Sequence, residues 1–203
     1  MNPLLIGTLI SLCASSLLAV RNFYGKSTQV LLTLLAFLLS IVNYTFIFFS
    51  PAFIILFSFD VFYMLCYQFR KRILRFFKVD HVFILMLVLF GVSIYISVIT
   101  YTGPESISGI ILLFLEMFAV FIFSAQGMRY KNAFSSLLYL YMDLGVGNYF
   151  AVVLDAINLV TPIIAIFKYK GEPLLDKEML TENVELVKLS NEVRSMKKLK
   201  NIK

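Results

Sequence analysis

Apolar runs of about membrane-spanning length follow one another from residue 3 to residue 168, and this feature leaves few folds open. Crossing the hydrocarbon layer of a bilayer as a helix takes roughly 20 mainly apolar residues. No water is present there to satisfy the backbone, so each crossing segment must bond its own N–H and C=O groups, as a helix does. Hydrophobic residues make up 60% of the 203 and charged residues 15%, against about 25% charged in a soluble domain; mean hydropathy is +0.88. The expectation is an all-α polytopic membrane protein without a separate soluble catalytic domain.

Charge, Gly and Pro divide the chain into seven expected spans, 3–20, 28–50, 52–69, 82–101, 106–127, 132–147 and 149–168. The links are short, so sequential helices should run antiparallel. The basic residues then set direction. The first link, RNFYGKS, carries two, the third, RKRILRFFKVDH, five, and the fifth, QGMRYKN, two; the other nine lie from Lys168 to Lys203. The even links FSPA, TYTGPES and LGVGN carry none. With seven spans every basic group falls on one side, which the positive-inside rule makes cytoplasmic: N-terminus out, C-terminus in. Six spans fit instead if 132–168 forms a re-entrant pair.

The net charge of +6 is thereby assigned to topology, not to nucleic acid. The basic third link is an orientation signal before it is a lipid-headgroup site, and His81 at its end is a loop residue. Tyr24, Tyr67, Tyr101, Tyr130, Tyr149 and Tyr169 fall near span boundaries, as interfacial aromatics do. The apolar N-terminus lacks the basic segment of a cleaved signal and reads as a retained first span. Cys13 and Cys66 lie in apolar runs without metal-ligand spacing and read as small buried apolar residues.

Spans 1–3 and 5–7 repeat one plan: helix, basic link, helix, tight outer turn, helix, basic stop. Asn43 lies in the second helix of the first unit and Arg70 closes its third, 27 residues on; Asp143 and Lys168 hold the comparable places 25 residues apart in the second. Two parallel three-helix bundles, about 3–69 and 106–168, would then be joined by a linker helix at 82–101. This 3+1+3 transmembrane domain would occupy residues 1–170.

The run MRYKNAFSSLLYLYMDLGVGNYFAVVLDAINLVTPIIAIFKYK resembles the closing helix pair of the YgjV-type bacterial inner-membrane proteins, with VNYTFIFFSPAFIILFSFDVFYMLCYQFRKR as its counterpart in the first half. The family's layout is similar to that of SWEET-type and PnuC-type transporters, which are built from three-helix repeats joined by a linker helix. The resemblance implies an inner-membrane location and that layout. It implies no substrate, because the Pro-Gln pair of the SWEET-type loops and the tryptophans of the PnuC-type channels are missing here.

Asp60, Glu116, Asp143 and Asp155 fall within expected spans, with no Lys, Arg or His accompanying them there before the closing Lys168. A charged Asp at mid-bilayer costs roughly 2.5–3.5 kcal/mol even on the lenient insertion scale, so these acids should face the bundle interior or a wet cavity. Asp143 and Asp155 flank one outer turn and should converge at similar depth, with Asn148 and Asn158 adding hydrogen-bonding groups. The reading is a polar pocket that binds and passes a small polar or cationic solute, with Asn43, Asp60, Glu116, Asp143, Asp155 and Asn158 as its substrate-binding residues. The alternative is that these acids only bond neighbouring side chains and fix helix packing.

Enzyme chemistry is not expected. Two aspartates on adjacent helices suggest an intramembrane aspartyl protease, but the turn reads GVGN, with Asn148 where the second acid belongs, so the shared-proton dyad is missing. No metal cluster, nucleophile set or phosphate loop accompanies it, and no cofactor is expected. From Gly171 to Lys203 the composition turns polar. Leu175, Met179, Leu186, Leu189, Val193 and Met196 space an apolar stripe along an expected cytoplasmic amphipathic helix. Surface contact with the bilayer, homo-oligomerisation and a solvated tail stay open for it, and through it so does a scaffold role for the whole protein.

Overall fold

The computed structural model describes residues 3–47, 51–69, 105–145 and 149–177, with isolated positions between 88 and 99 and between 181 and 188. Six helices carry these residues: α1 Pro3–Arg21, α2 Lys26–Phe46, α3 Pro51–Gln68, α4 Glu105–Ile122, α5 Ala125–Gly145 and α6 Tyr149–Lys168. Among the described residues the extended backbone amounts to one antiparallel bridge, Phe123 with Leu175. Pro3 and Pro51 open their helices, where the missing N–H costs nothing because the first-turn N–H groups have no intrahelical acceptor. The chain turns from α1 into α2 through Phe23 and Tyr24, whose N–H groups bond Val20 O and Arg21 O at 3.1 Å.

Helices α1, α2 and α6 are long and apolar enough to cross a membrane, and Phe53–Gln68 and Ile107–Ile122 form shorter apolar helices. The side chains are distributed inside out relative to a soluble domain. Leu5, Leu31, Leu35, Phe114, Phe134, Ile157 and Ile164 are exposed, while the described interior holds as many buried polar residues as buried apolar ones. Water would not favour that arrangement, but hydrocarbon around the bundle would.

Neighbouring helices close into a ring in chain order, α1 against α2, α2 against α3, α3 against α4, α4 against α5, α5 against α6, and α6 back against α1, with α2 and α5 touching across the centre. Exchanging the first three helices for the last three, in order, leaves this pattern unchanged. Tyr67 near the end of α3 packs against Phe121 near the end of α4, ring centroids 6.5 Å apart, so α3 and α4 run parallel. Likewise Phe23, just past α1, accepts a 3.0 Å bond from Tyr169 just past α6, so α1 and α6 are parallel. The two closing contacts of the ring are thus of one kind. Val30, Leu34, Phe37, Phe57, Met64, Tyr67, Ala119, Val120 and Met128 form the apolar core between α2, α3, α4 and α5.

Several expectations change. The span expected at 132–147 begins at Ala125, so Arg129 and Lys131 lie inside α5, 2% and 3% exposed, not in a solvated link. Cys13 is exposed on α1 and Cys66 half-buried; neither is a core residue. Tyr67 is 6% exposed and points into the bundle, not to an interface. Leu175 pairs with Phe123 instead of starting a helical stripe. The linker expected at 82–101, the basic third link with His81, and the stripe from Met179 onward lie outside the continuously described residues.

Candidate functional site

Two polar clusters occupy the interior, and the six residues singled out from the sequence divide between them. The first lies toward the end of the bundle where Arg21, Lys26, Arg129 and Lys168 gather, here termed the basic end. Glu116 of α4 and Lys131 of α5 form an ion pair there, with side chains 2% and 0% exposed. Asp60 of α3 is fully buried, has no hydrogen-bond partner for either carboxyl oxygen among the described residues, and faces both members of that pair. Arg21 of α1 donates to Thr33 Oγ1 of α2 at 2.7 Å and lies within electrostatic reach of Glu116 and Lys131. Four helices thus bring together two cations and two acids, and α2 adds Thr33. The expectation that the buried acids lack cationic company is corrected: helix α5 starts early enough to carry Lys131 into the interior.

The second cluster lines a cavity of about 100 Å³ in the other half of the bundle. Its wall includes Ser11 and Ser15 of α1, Asn43 and Tyr44 of α2, Phe53 and Phe57 of α3, Tyr139 and Asp143 of α5, and Asp155 and Asn158 of α6. Both triplets contribute. Asn43 and Asp143 come from the two central helices. Asp143 and Asp155 meet through their side chains, as their places on either side of the α5–α6 turn require. A carboxylate can only accept, so that contact needs at least one shared proton and leaves the pair with at most one negative charge.

The orientation of the amides follows from α1. Asn43 Nδ2 donates to Ser11 Oγ at 2.8 Å and Asn158 Nδ2 to Ser15 Oγ at 3.2 Å. Among the described residues Asn43 Oδ1 and Asn158 Oδ1 have no partner, and neither do Asp143 Oδ1 and Asp155 Oδ2. The unsatisfied atoms of these four residues are therefore all oxygens. Buried polar atoms in native proteins are nearly always bonded, so these four oxygens call for a donor.

Local backbone chemistry supports the same wall. Pro162 lies inside α6 and has no N–H, which frees the carbonyl of Asn158 four residues earlier. Ser136 Oγ of α5 donates to that carbonyl at 3.1 Å and Thr161 Oγ1 lies 3.5 Å from it. An α5 hydroxyl thus holds the α6 backbone beside the cavity.

Part of the wall is aromatic. Tyr44 stacks on Phe53 at 4.8 Å, Phe57 lies 5.9 Å from Tyr44, and Tyr139 lies 6.4 Å from Phe57. Tyr139 also faces Asp60 and Glu116, so this ring separates the cavity from the charged cluster. Its hydroxyl has no hydrogen-bond partner among the described residues.

At the basic end the bundle is closed. Arg129 donates to Asn22 O at 2.8 Å, Gln126 Oε1 at 2.9 Å, Glu172 Oε2 at 2.6 Å and Tyr24 O at 3.3 Å, with its guanidinium 4.0 Å from the Tyr169 ring centroid. Lys26 pairs with Asp176 at 3.0 Å. Ser124 N bonds Leu174 O and Asp176 N bonds Ile122 O, both at 3.0 Å. The chain after α6 is thereby strapped across the α1–α2 and α4–α5 turns. At Gly127 an added Cβ would collide with the Leu174 carbonyl oxygen, so only glycine allows the strap to lie this close.

Asn43, Asp143, Asp155 and Asn158 share the cavity; Asp60 and Glu116 do not line it. The sequence reading missed Ser11, Ser15, Tyr44, Ser136 and Tyr139. Helical spacing signals some of them, since Ser11 and Ser15, like Tyr139 and Asp143, stand four residues apart on one face. Among the described residues no group of three His, Cys, Asp or Glu side chains could hold a metal ion. Comparison with protein-family models, with curated proteins and with solved structures gives no match.

Proposed function

We propose that this chain is a multi-pass inner-membrane protein that binds a small polar or cationic solute in the cavity between its two triplets and passes it across the membrane. The single observation carrying this reading is the set of four unpartnered oxygens, on Asn43, Asp143, Asp155 and Asn158, around one cavity. A core built only for packing would bond such groups to each other, because an unsatisfied buried acceptor costs about 1–3 kcal/mol.

The proposed layout is seven spans in a 3+1+3 arrangement, with 82–101 as linker, as in the YgjV-type proteins that the sequence resembles. Support comes from the exchange symmetry of the helix neighbours and from the parallel run of α3 and α4, whose connection has to return along the bundle. The basic end is assigned to the cytoplasm, which makes the cavity outward-facing and the Arg129 strap the closed inner gate. Transport then requires that gate to open while the cavity closes.

The test uses protein reconstituted in liposomes, with labelled ethanolamine as cationic probe and labelled glycerol as neutral polar probe. Uptake of at least one probe that is lost in Asp143→Asn and Asp155→Asn supports the reading. Uptake that both variants retain in full rejects it.

A further inference from the structure

The chemistry of the cavity wall narrows the solute further. Resting on the reading above that this cavity is a binding site, we propose that its ligand is a small primary alkylammonium ion, an –NH3+ group on a short carbon chain. Four features of the wall lead there.

Four free atoms of the wall are carboxyl or amide oxygens, which accept, beside the Tyr139 hydroxyl, which can donate or accept. Asn43, Asp143 and Asn158 are 3%, 7% and 7% exposed, and each presents one unpartnered oxygen to the cavity, joined by Asp155 Oδ2. An ammonium group has three donors and no acceptor, so it satisfies three of the four oxygens and leaves nothing of its own unbonded. A sugar or polyol brings an acceptor with every hydroxyl, and one N–H of each amide that could meet it is already given to a serine, Asn43 to Ser11 and Asn158 to Ser15.

The charge is at most single. The Asp143–Asp155 contact requires at least one proton, so no more than one monovalent cation is needed to neutralise the pair, whereas a divalent ion would leave an excess of charge in a low-dielectric interior.

The wall also contains Tyr44, Phe53, Phe57 and Tyr139. Aromatic faces accept alkyl groups and attract the cation that carries them. A bare alkali ion would gain little from these rings, while an alkylammonium uses both the oxygens and the rings.

Size sets the chain length. An apolar cavity of about 150 Å³ holds benzene, with its six heavy atoms. By the same proportion the 100 Å³ here takes about four heavy atoms, the size of propylammonium.

Isothermal titration of the purified full-length protein decides the matter, with four probes: propylammonium, 1-propanol, tetramethylammonium and glycerol. The expected result is propylammonium binding at least about tenfold tighter than its neutral match 1-propanol and than the donor-free tetramethylammonium, as a charge-assisted hydrogen bond worth about 1.5–3 kcal/mol requires. Asp155→Asn and Asp143→Asn should each weaken it at least about tenfold, and Phe53→Leu about two- to thirtyfold. Melting temperatures without ligand establish that each variant is folded, and either aspartate variant alone suffices. Glycerol binding that is lost in the aspartate variants, without any preference for propylammonium, overturns the alkylammonium assignment and leaves the pocket standing. Tetramethylammonium binding as tightly as propylammonium overturns the role of the four oxygens. If propylammonium binding is indifferent to Asp143, Asp155 and Phe53, it occurs elsewhere and the assignment fails. If none of the four probes binds, both the assignment and the pocket reading fail.

Discussion

Replacing Lys131 with methionine removes the one cation that is ion-paired to Glu116, while the apolar stem keeps nearly the same volume. The pair is 0% and 2% exposed, so water cannot take over the lost partner. Breaking one side of a buried ion pair costs about 3–5 kcal/mol, and Asp60 beside it adds a second acid to the uncompensated charge. With the scaling for chains of this length, about 2–4 °C per kcal/mol, the melting temperature should fall by roughly 6–20 °C. Glu116→Gln should cost less, about 1–3 kcal/mol, because Asp60 remains to face Lys131. The double variant Lys131→Met with Glu116→Leu should recover much of the loss, since an apolar pair of similar volume is often neutral in such a place. In a Cys13→Ala background, a fluorogenic thiol probe follows unfolding through Cys66, which is half-buried in α3. A Lys131→Met variant as stable as the parent, or less affected than Glu116→Gln, would refute this account of the charged cluster.

Three further outcomes are expected. Ser136→Ala should leave the Asn158 carbonyl without its α5 donor and cost about 0.6–1.7 kcal/mol; Pro162→Ala restores an N–H, so the two substitutions together should be milder than Ser136→Ala alone, as unfolding in mixed micelles will tell. Gly127→Ala should push the strap away from Leu174 O and lower stability by about 1–3 kcal/mol, with faster proteolysis after residue 171 as the local readout. Propylammonium affinity should fall as the pH is lowered from neutral toward the ordinary aspartate value of about 3.9: protonating the second carboxyl of the Asp143–Asp155 pair removes the charge that the cation answers. Among the described residues, the other titratable groups facing that pair are Tyr44, which lines the cavity with it, and Tyr139, beyond which lie Asp60 and Glu116. A flat titration profile over that range would remove the pair from cation binding.

The helices were legible because apolar runs and basic punctuation report directly on hydrocarbon and water. Described helices match six of the seven expected spans, and the Asp143–Asp155 contact could be anticipated from two acids on either side of one tight turn. The start of α5 was not legible. Arg129 and Lys131 read as solvated charges in one dimension, yet Arg129 is held by backbone carbonyls of the α1–α2 turn about a hundred residues away in sequence, and Lys131 by Glu116 on the preceding helix. One local signal existed: Glu116 and Lys131 stand at nearly equal distances from the turn at 123–124, so an antiparallel hairpin must bring them to one depth. The division of the acids into two clusters was also hidden, because it depends on the bulk of Tyr139 and Phe57 between them. No pattern in α2 alone indicates that Asn43 turns its nitrogen to Ser11, since that choice is made by the packing of α1.

The central claim is that the space between the triplets is a polar cavity open to aqueous solutes, and cysteine accessibility tests it most directly. In a background with Cys13→Ala and Cys66→Ala, Ser40→Cys places a thiol in the cavity wall, while Leu35→Cys places one on the exposed apolar surface of the same helix. A membrane-impermeant cationic thiosulfonate added from outside should modify the thiol at 40, more slowly when propylammonium is present, and leave the one at 35 untouched. No modification at 40, or equal modification at both positions, would contradict the account.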